Sequence, residues 1–480
     1  MPHSRIRVKL LLPFAISAAI PLGLGAQERE FPLPKLPADP KITAALKEIS
    51  PHQIQATIEK LVSFGTRLTL SAQDPSSIAA GHGIGAAREW IKSEFERYSR
   101  DCGGCLEVRT DTFTQAPADR IPKPTEITNV YALLKGTDPE NAKRVVLVTG
   151  HYDSRNSDTL DTTGAAPGAN DDASGTAVSL ECARVLSKLK FPATIIFLTV
   201  AGEEQGLNGS HHFASMADQK RDEWQIEAVL NNDIVGGDKS PQQDPRTVRV
   251  FSEGIPSALV DPYRPPASTV LEDEIVRREL RTLRALAGEN DSPSRQLARY
   301  IAEVARSYSG DVSPLLIFRP DRYLRGGDQR SFNEYGFAGI RFTEYREDYH
   351  HQHQNVRTEN GIEYGDLAKF VNFDYVANVA RLNAATLAAL ASAPGPPTSV
   401  HLLTKELEND STLTWDKSPR ASGYEVLWRA TASPDWEHAK DVGNVTRATL
   451  PISKDNVVFA VRAIDAEGHR SLPVVPTPER

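Results

Sequence analysis

The 480-residue sequence predicts an α/β protein with a mostly parallel sheet flanked by helices, followed by a small all-β sandwich. Three observations carry this reading. Short continuous apolar runs (Val145-Val146-Leu147-Val148, Ala193 to Val200, Ala228-Val229-Leu230) are separated by helical stretches, as buried parallel strands are. Each run ends abruptly in polar residues, at Gly150-His151, Gly202-Glu203-Glu204 and Asn231-Asn232-Asp233. Beyond Ala393-Pro394-Gly395-Pro396-Pro397 only short alternating segments remain: Leu413 and Trp415, then Tyr424, Val426 and Trp428, then Val457, Phe459, Val461 and Ala463.

At the N-terminus, Arg5, Arg7 and Lys9 precede an apolar run from Leu10 to Leu24 that ends in Gly25-Ala26. This order matches a secretory signal, residues 1–26; a retained N-terminal anchor is the alternative. Its removal takes three cations and no carboxylate from a chain whose formal net charge is -8. That balance leaves no basic surplus for nucleic acid. No later run is long and apolar enough to span a bilayer, so the expectation is a secreted protein, extracellular or periplasmic, and not integral to a membrane. In an oxidising compartment Cys102 and Cys105 can close a tight disulfide, leaving Cys182 as a buried thiol.

Residues 27–40 read as an extended leader, and helical spacing appears at about 52–63 and 83–99, the second carrying Ala87, Trp90, Ile91 and Phe95 on one face. Strand-like alternation covers 106–114 and 128–135, and an amphipathic helix covers about 172–189. Residues 271–308 form a charged, mainly helical insertion broken at Ser292-Pro293, either a cap or a surface excursion. A last strand at 338–342 and a helix at about 366–391 complete a domain of residues 27–393. A Pro/Gly linker at 394–397 then leads to the sandwich, residues 398–480.

The polar strand ends carry the chemistry. In open α/β sheets, functional groups gather past the carboxyl ends of the strands. Read in order, the chain offers His151-Tyr152-Asp153, Asn170-Asp171-Asp172, Glu203-Glu204, Asp233 and His351-Gln352-His353. Imidazoles and carboxylates without thiolate suit zinc, and a shared carboxylate suits two divalent ions about 3.5–4 Å apart. Adjacent Glu203 and Glu204 point in different directions, so one can coordinate metal while the other takes a proton from the attacking water. The chemistry predicted is hydrolysis.

The series HYDS, GANDDASG, AGEEQGLNGS, NNDIVG, GGDQRSF with GFAGIRFTE, and the late HQH resembles the co-catalytic di-zinc metallopeptidases, a family of secreted bacterial aminopeptidases and glutamate carboxypeptidases. The resemblance spans roughly residues 50 to 390 and implies a mixed sheet between helices. It implies two Zn2+ per chain: one held by His151, Asp171 and Asp233, the other by Asp171, Glu204 and His353, with Asp171 shared. Glu203 would be the general base, and Asp153 would orient the His151 imidazole by a hydrogen bond. His353 is assigned over His350 and His351 because the Gln-His-Gln core follows the version in the more similar relatives. Asp328 matches the family's substrate-side Asp and equally suits a helix N-cap. Asp172 reads as a helix start, and His211-His212 as a packing or surface pair.

The implied activity is a zinc exopeptidase, foremost an aminopeptidase, acting on peptides through a metal-activated water. A carboxypeptidase or dipeptidase is the nearest rival, needing cations for a terminal carboxylate; Arg319, Arg322, Arg325 and Arg330 stand near the substrate-side motif. Cyclase-like acyl transfer generally uses one zinc, and an inactive binding homologue would have lost a ligand or the base. Residues 398–480 resemble a fibronectin type III domain, with Trp415 at its core position but Val457 where that family has tyrosine. Such a domain attaches to a wall, a polysaccharide or a partner, or serves as a passive spacer.

Overall fold

Eight strands, β1 (Leu106–Gln115), β2 (Thr125–Leu134), β3 (Arg144–His151), β4 (Thr194–Val200), β5 (Gln225–Asn232), β6 (Thr247–Ser252), β7 (Ser313–Ile317) and β8 (Gly339–Glu344), form one sheet. The order is β1-β2-β4-β3-β5-β8-β6-β7. In this computed structural model, which describes residues 31–260, 270–308 and 310–479, strands β4, β3, β5 and β8 run parallel at the centre. Antiparallel pairings of β1 with β2, β2 with β4 and β8 with β6 make the sheet mixed. The expected secretory signal lies outside the described residues.

The continuous apolar runs of β3 and β4 are explained by cover on both faces. Along β3, Val146 and Val148 enter one core with the helices Ala173–Leu186 and Phe373–Ser392. Val145 and Leu147 enter the other with Phe213, Trp224 and Phe332. Strands β6 and β7 were missed in the sequence: β7 is short, opens on Ser313-Pro314, sits at the sheet edge and is only half-buried. Cys102 and Cys105 form a disulfide, and Cys182 is a buried thiol. No described helix is long and apolar enough to cross a membrane.

The charged insertion divides in two. Helix Val270–Leu286 buries none of its described side chains. Helix Pro293–Tyr308 sends Leu297, Ile301 and Val304 into the main core, so this half is neither cap nor surface excursion. Its polar face meets the C-terminal unit, where Thr398–Leu403, Ser411–Asp416, Arg447–Leu450 and Thr477–Glu479 form one sheet. Gly423–Ala430, His438–Gly443 and Val457–Ile464 form a second sheet over a core that includes Trp415, Tyr424 and Phe459. Arg462 pairs with Glu303 at 2.9 Å, Arg429 with Asp291 at 2.8 Å, and the Trp436 indole donates to Gln296 at 3.0 Å. The end of the extended leader also docks here: Phe31 packs against Trp428, and Leu33 N–H donates to the Glu437 carbonyl.

Candidate metal centre

His151 is the last residue of β3, Glu203 and Glu204 follow β4, and Asp233 follows β5, so three neighbouring parallel strands deliver their polar ends to one place. Asp171 arrives from the turn before helix Ala173–Leu186. That helix packs so close to β3 that a Cβ on Gly150 would stand 2.3 Å from the Gly175 backbone. Asp172 is the N-cap: its carboxylate accepts from Gly175 N–H at 2.8 Å and from His151 N–H at 3.0 Å, tying helix start to strand end. The Asp171–Asp172 peptide bond is cis.

The side chains meet as two groups joined by Asp171. His151, Glu203 and Asp233 offer atoms within 4.8 Å of one another, as do Asp171, Glu204 and His353. Asp171 Oδ1 stands 3.2 Å from His151 Nε2, and its Oδ2 stands 2.8 Å from His353 Nε2. Asp233 Oδ1 is 3.9 Å from His151 Nε2, and Glu204 Oε1 is 3.1 Å from His353 Nε2. His151 Nε2 is sealed from solvent and forms no hydrogen bond. A buried ring nitrogen left unpaired opposite two carboxylate oxygens fits a shared cation, and imidazole with carboxylate is a donor set zinc accepts. The residues therefore fit zinc.

Supporting contacts fix these groups. His151 Nδ1 lies 3.1 Å from the Asp153 backbone carbonyl and 3.4 Å from the Asp153 carboxylate, so the expected orienting bond goes chiefly to the carbonyl. The Asp153 carboxylate instead accepts from the Thr69 hydroxyl at 2.8 Å and from Glu204 N–H at 3.2 Å. Asp366 accepts from the Asn170 and Asp171 N–H groups, and the Gln352 amide donates to Asp171 Oδ2 at 3.1 Å. The buried Arg341 guanidinium meets Asp233 Oδ2 at 2.9 Å. Sequence reading missed Asp366, Gln352 and Arg341. Only Gln352 carried a signal, its place between two histidines.

Charge and burial divide the carboxylates by role. Burial would raise Asp171, but His353 and His151 hold it well below the usual range. Asp233 is likewise lowered, against its burial, by Arg341 and His151. Glu203 goes the other way, pushed well above its usual value by burial and by Asp233, Glu204 and Asp328. Its carboxylate accepts no hydrogen bond among the described residues, and burial with Asp233 and Asp153 nearby pushes Asp328 up to about 7.

Asp328 caps nothing: it precedes helix Gln329–Glu334, but its side chain makes no capping bond, and neither buried oxygen has a well-formed hydrogen bond. The N-cap alternative therefore fails. His350 is exposed beside Asp348, and His351 stacks on Phe370 and bonds Asp238, whereas the His353 ring is the one paired with Asp171. His212 stacks on Phe113 and bonds Asp111, a packing role. Of the four arginines, Arg322 is taken by Glu347, Arg319 by the Asp321 carbonyl and the Tyr323 ring, and Arg330 by Asp321 at 4.0 Å. Arg325 meets only the neutral Gln352 amide and the Tyr349 ring.

The family model of peptidase family M28 matches residues 129–248. A probable zinc metalloprotease of Leptosphaeria maculans is 46% identical over 443 residues, covering 91% of this chain and 97% of its own. Another from Pyricularia oryzae is 46% identical over 452 residues, covering 92% and 85%. Among solved structures, the LapA aminopeptidase of Legionella pneumophila aligns over 75% of this chain and 77% of its own, with 21% identity and a TM-score of 0.49. A glutaminyl cyclase of Porphyromonas gingivalis aligns over 71% and 98%, with 17% identity and a TM-score of 0.44.

Proposed function

The chain belongs to peptidase family M28 as a zinc metallopeptidase, and from that premise we propose that it is a two-zinc aminopeptidase in which Glu203 is the general base. Bound zinc would supply Lewis acidity toward the scissile carbonyl and the attacking water. His151, Asp233 and one Asp171 oxygen would hold one ion; Glu204, His353 and the other Asp171 oxygen would hold the second.

The observation that carries this reading is the carboxylate that stands among the ligands without a partner. Glu203 lies within 4.8 Å of His151 and Asp233, yet Arg341 fixes Asp233, and His151 and His353 fix Asp171. Glu203 is thus free to accept the water's proton and return it to the leaving amine. Its carboxylate is drawn toward protonation by burial and neighbouring carboxylates, and bound dications would favour its ionised form.

Preference for a free N-terminus rests on the surplus of acid. Asp328 is fully buried with no well-formed hydrogen bond to either oxygen and the Ser210 hydroxyl beside it, leaving acceptor capacity for a substrate ammonium or N–H. A carboxypeptidase would need a free cation; among the described residues Arg322, Arg319 and Arg330 are engaged, which leaves Arg325 as that reading's one candidate of the four. As part of the same reading, residues 1–26 direct export. The test is chelator-sensitive release of p-nitroaniline from aminoacyl substrates, compared with N-blocked substrates and with C-terminally free dipeptides. Equal cleavage of the N-blocked series rejects the aminopeptidase reading.

A further inference from the structure

The chain just after helix Pro51–Val62 carries no candidate ligand, yet it lies between two loops that lead to ligands. The Gly65 carbonyl accepts from Ala166 N–H at 3.0 Å, and the Arg67 carbonyl accepts from Ser154 N–H at 3.2 Å. The Ser154 hydroxyl joins the two loops directly, donating to the Ala166 carbonyl at 2.7 Å. The fit is tight. A Cβ on Gly168 would stand 2.4 Å from the Ser154 Cβ and 2.9 Å from Arg67 Nη2.

Arg67 is fully buried and donates to four backbone carbonyls. Its Nε reaches Tyr152 at 2.8 Å, its Nη1 reaches Pro167 at 2.6 Å and Leu61 at 3.0 Å, and its Nη2 reaches Gly168 at 2.8 Å. Tyr152 follows His151, Pro167 and Gly168 lead into Asp171, and Leu61 lies in the last turn of helix Pro51–Val62. One rigid fork thus spans both ligand-bearing loops from a fixed helix end. None of the four bonds goes to a carboxylate. Burial lowers the guanidinium to about 10, against the pull of Asp366, Asp153, Asp172 and Asp171, so it stays charged at neutral pH. A buried charge without an ion-pair bond is costly to stability, and here it is spent on holding two loops together.

Thr69 extends the same grip. It is buried, and its hydroxyl donates at 2.8 Å to Asp153 Oδ2, the oxygen that also accepts from Glu204 N–H. The Asp153 carbonyl in turn faces His151 Nδ1 at 3.1 Å.

We infer that residues 65–69 clamp the metal centre, with Arg67 and Thr69 as its positioning residues. Arg67 sets the spacing of His151 and Asp171, and Thr69 holds Asp153 against His151 and Glu204. This rests on the reading of those three residues as ligands, and not on which peptide end is cleaved.

The test compares Thr69→Val, Thr69→Ser and Arg67→Lys with the wild-type full chain. Each is measured for Tm, for zinc dissociation constants by competition with a chromophoric chelator, and for kcat and KM on an aminoacyl p-nitroanilide. Thr69→Val keeps the shape and removes the donor; it is expected to weaken at least one zinc constant, or lower kcat, by about 10- to 100-fold with KM within about threefold. Thr69→Ser restores the hydroxyl and is expected to recover the loss to within about threefold. Arg67→Lys keeps the charge but cannot span four carbonyls, and should lower kcat at least about tenfold at near-constant KM. Wild-type zinc constants and kcat in Thr69→Val, with only Tm lowered, overturn the inference, as does an equal loss in Thr69→Ser. If Arg67→Lys melts below the assay temperature, the two threonine variants decide alone. A wild type that binds no zinc instead contradicts the ligand assignment itself.

Discussion

Arg462, on the C-terminal sandwich, lies 2.9 Å from Glu303 on helix Pro293–Tyr308, and both side chains are buried. Arg462 also meets Glu425 at 2.7 Å, so one guanidinium answers two carboxylates across the junction of the two units. The sandwich is thereby built into the peptidase core, because the same helix packs Leu297 and Ile301 beneath the sheet. Arg462→Met should cost about 3–5 kcal/mol by stranding the buried Glu303, while Glu425 keeps Arg470 as a partner. Denaturant unfolding checks this, and both units should unfold in one transition.

The ligand strand ends were legible because they follow from burial. A strand covered on both faces is mostly apolar until it emerges, so His151, Glu203, Glu204 and Asp233 announce themselves as the first ionisable groups after such a run. His353 lies in a loop with a left-handed backbone, beside two other histidines, and only the family resemblance singled it out. Asp366 and Arg341 were illegible for a different reason. Their roles come from contacts to Asp171 and Asp233 that are distant in sequence, and no local pattern encodes such pairings. Strand β6 escaped because Arg249 interrupts its apolar residues, and β7 because it is a short, half-buried edge strand.

Glu253 should set a pH dependence of stability. Burial raises its carboxyl to about 7, with Glu334 adding to the shift and Arg295 and the Ser257 bonds opposing it. A carboxyl raised in the folded state favours folding in its protonated form. Its contribution is fully present below the ordinary value near 4.5 and is lost as pH rises through about 7. Glu253→Gln should therefore raise Tm at pH 8 and change it little at pH 4.5, with a ceiling of about 3 kcal/mol. Thermal melts at the two pH values decide it, and equal shifts at both would reject the assignment.

Asp171→Asn should remove the charge that joins the two groups. Metal analysis after dialysis is expected to show zinc content falling to one equivalent or less, and peptidase activity should fall at least about a thousandfold. Retention of two equivalents would show that Asp171 is not the shared ligand.

Asp328→Asn keeps the shape and removes a buried charge. The expected result is unchanged zinc content with KM for free-amine substrates raised about 10- to 100-fold, the range of one charged hydrogen bond. A matching loss on N-blocked substrates would instead place Asp328 in general support of the site.

The proton-transfer role of Glu203 is decided by Glu203→Gln, measured for bound zinc and for kcat on an aminoacyl p-nitroanilide in one preparation. The prediction is zinc content equal to wild type and kcat lowered by about 10²–10⁴, the contribution of a positioned general base. A variant that binds the same zinc and keeps the wild-type kcat would contradict the assignment of Glu203 as base.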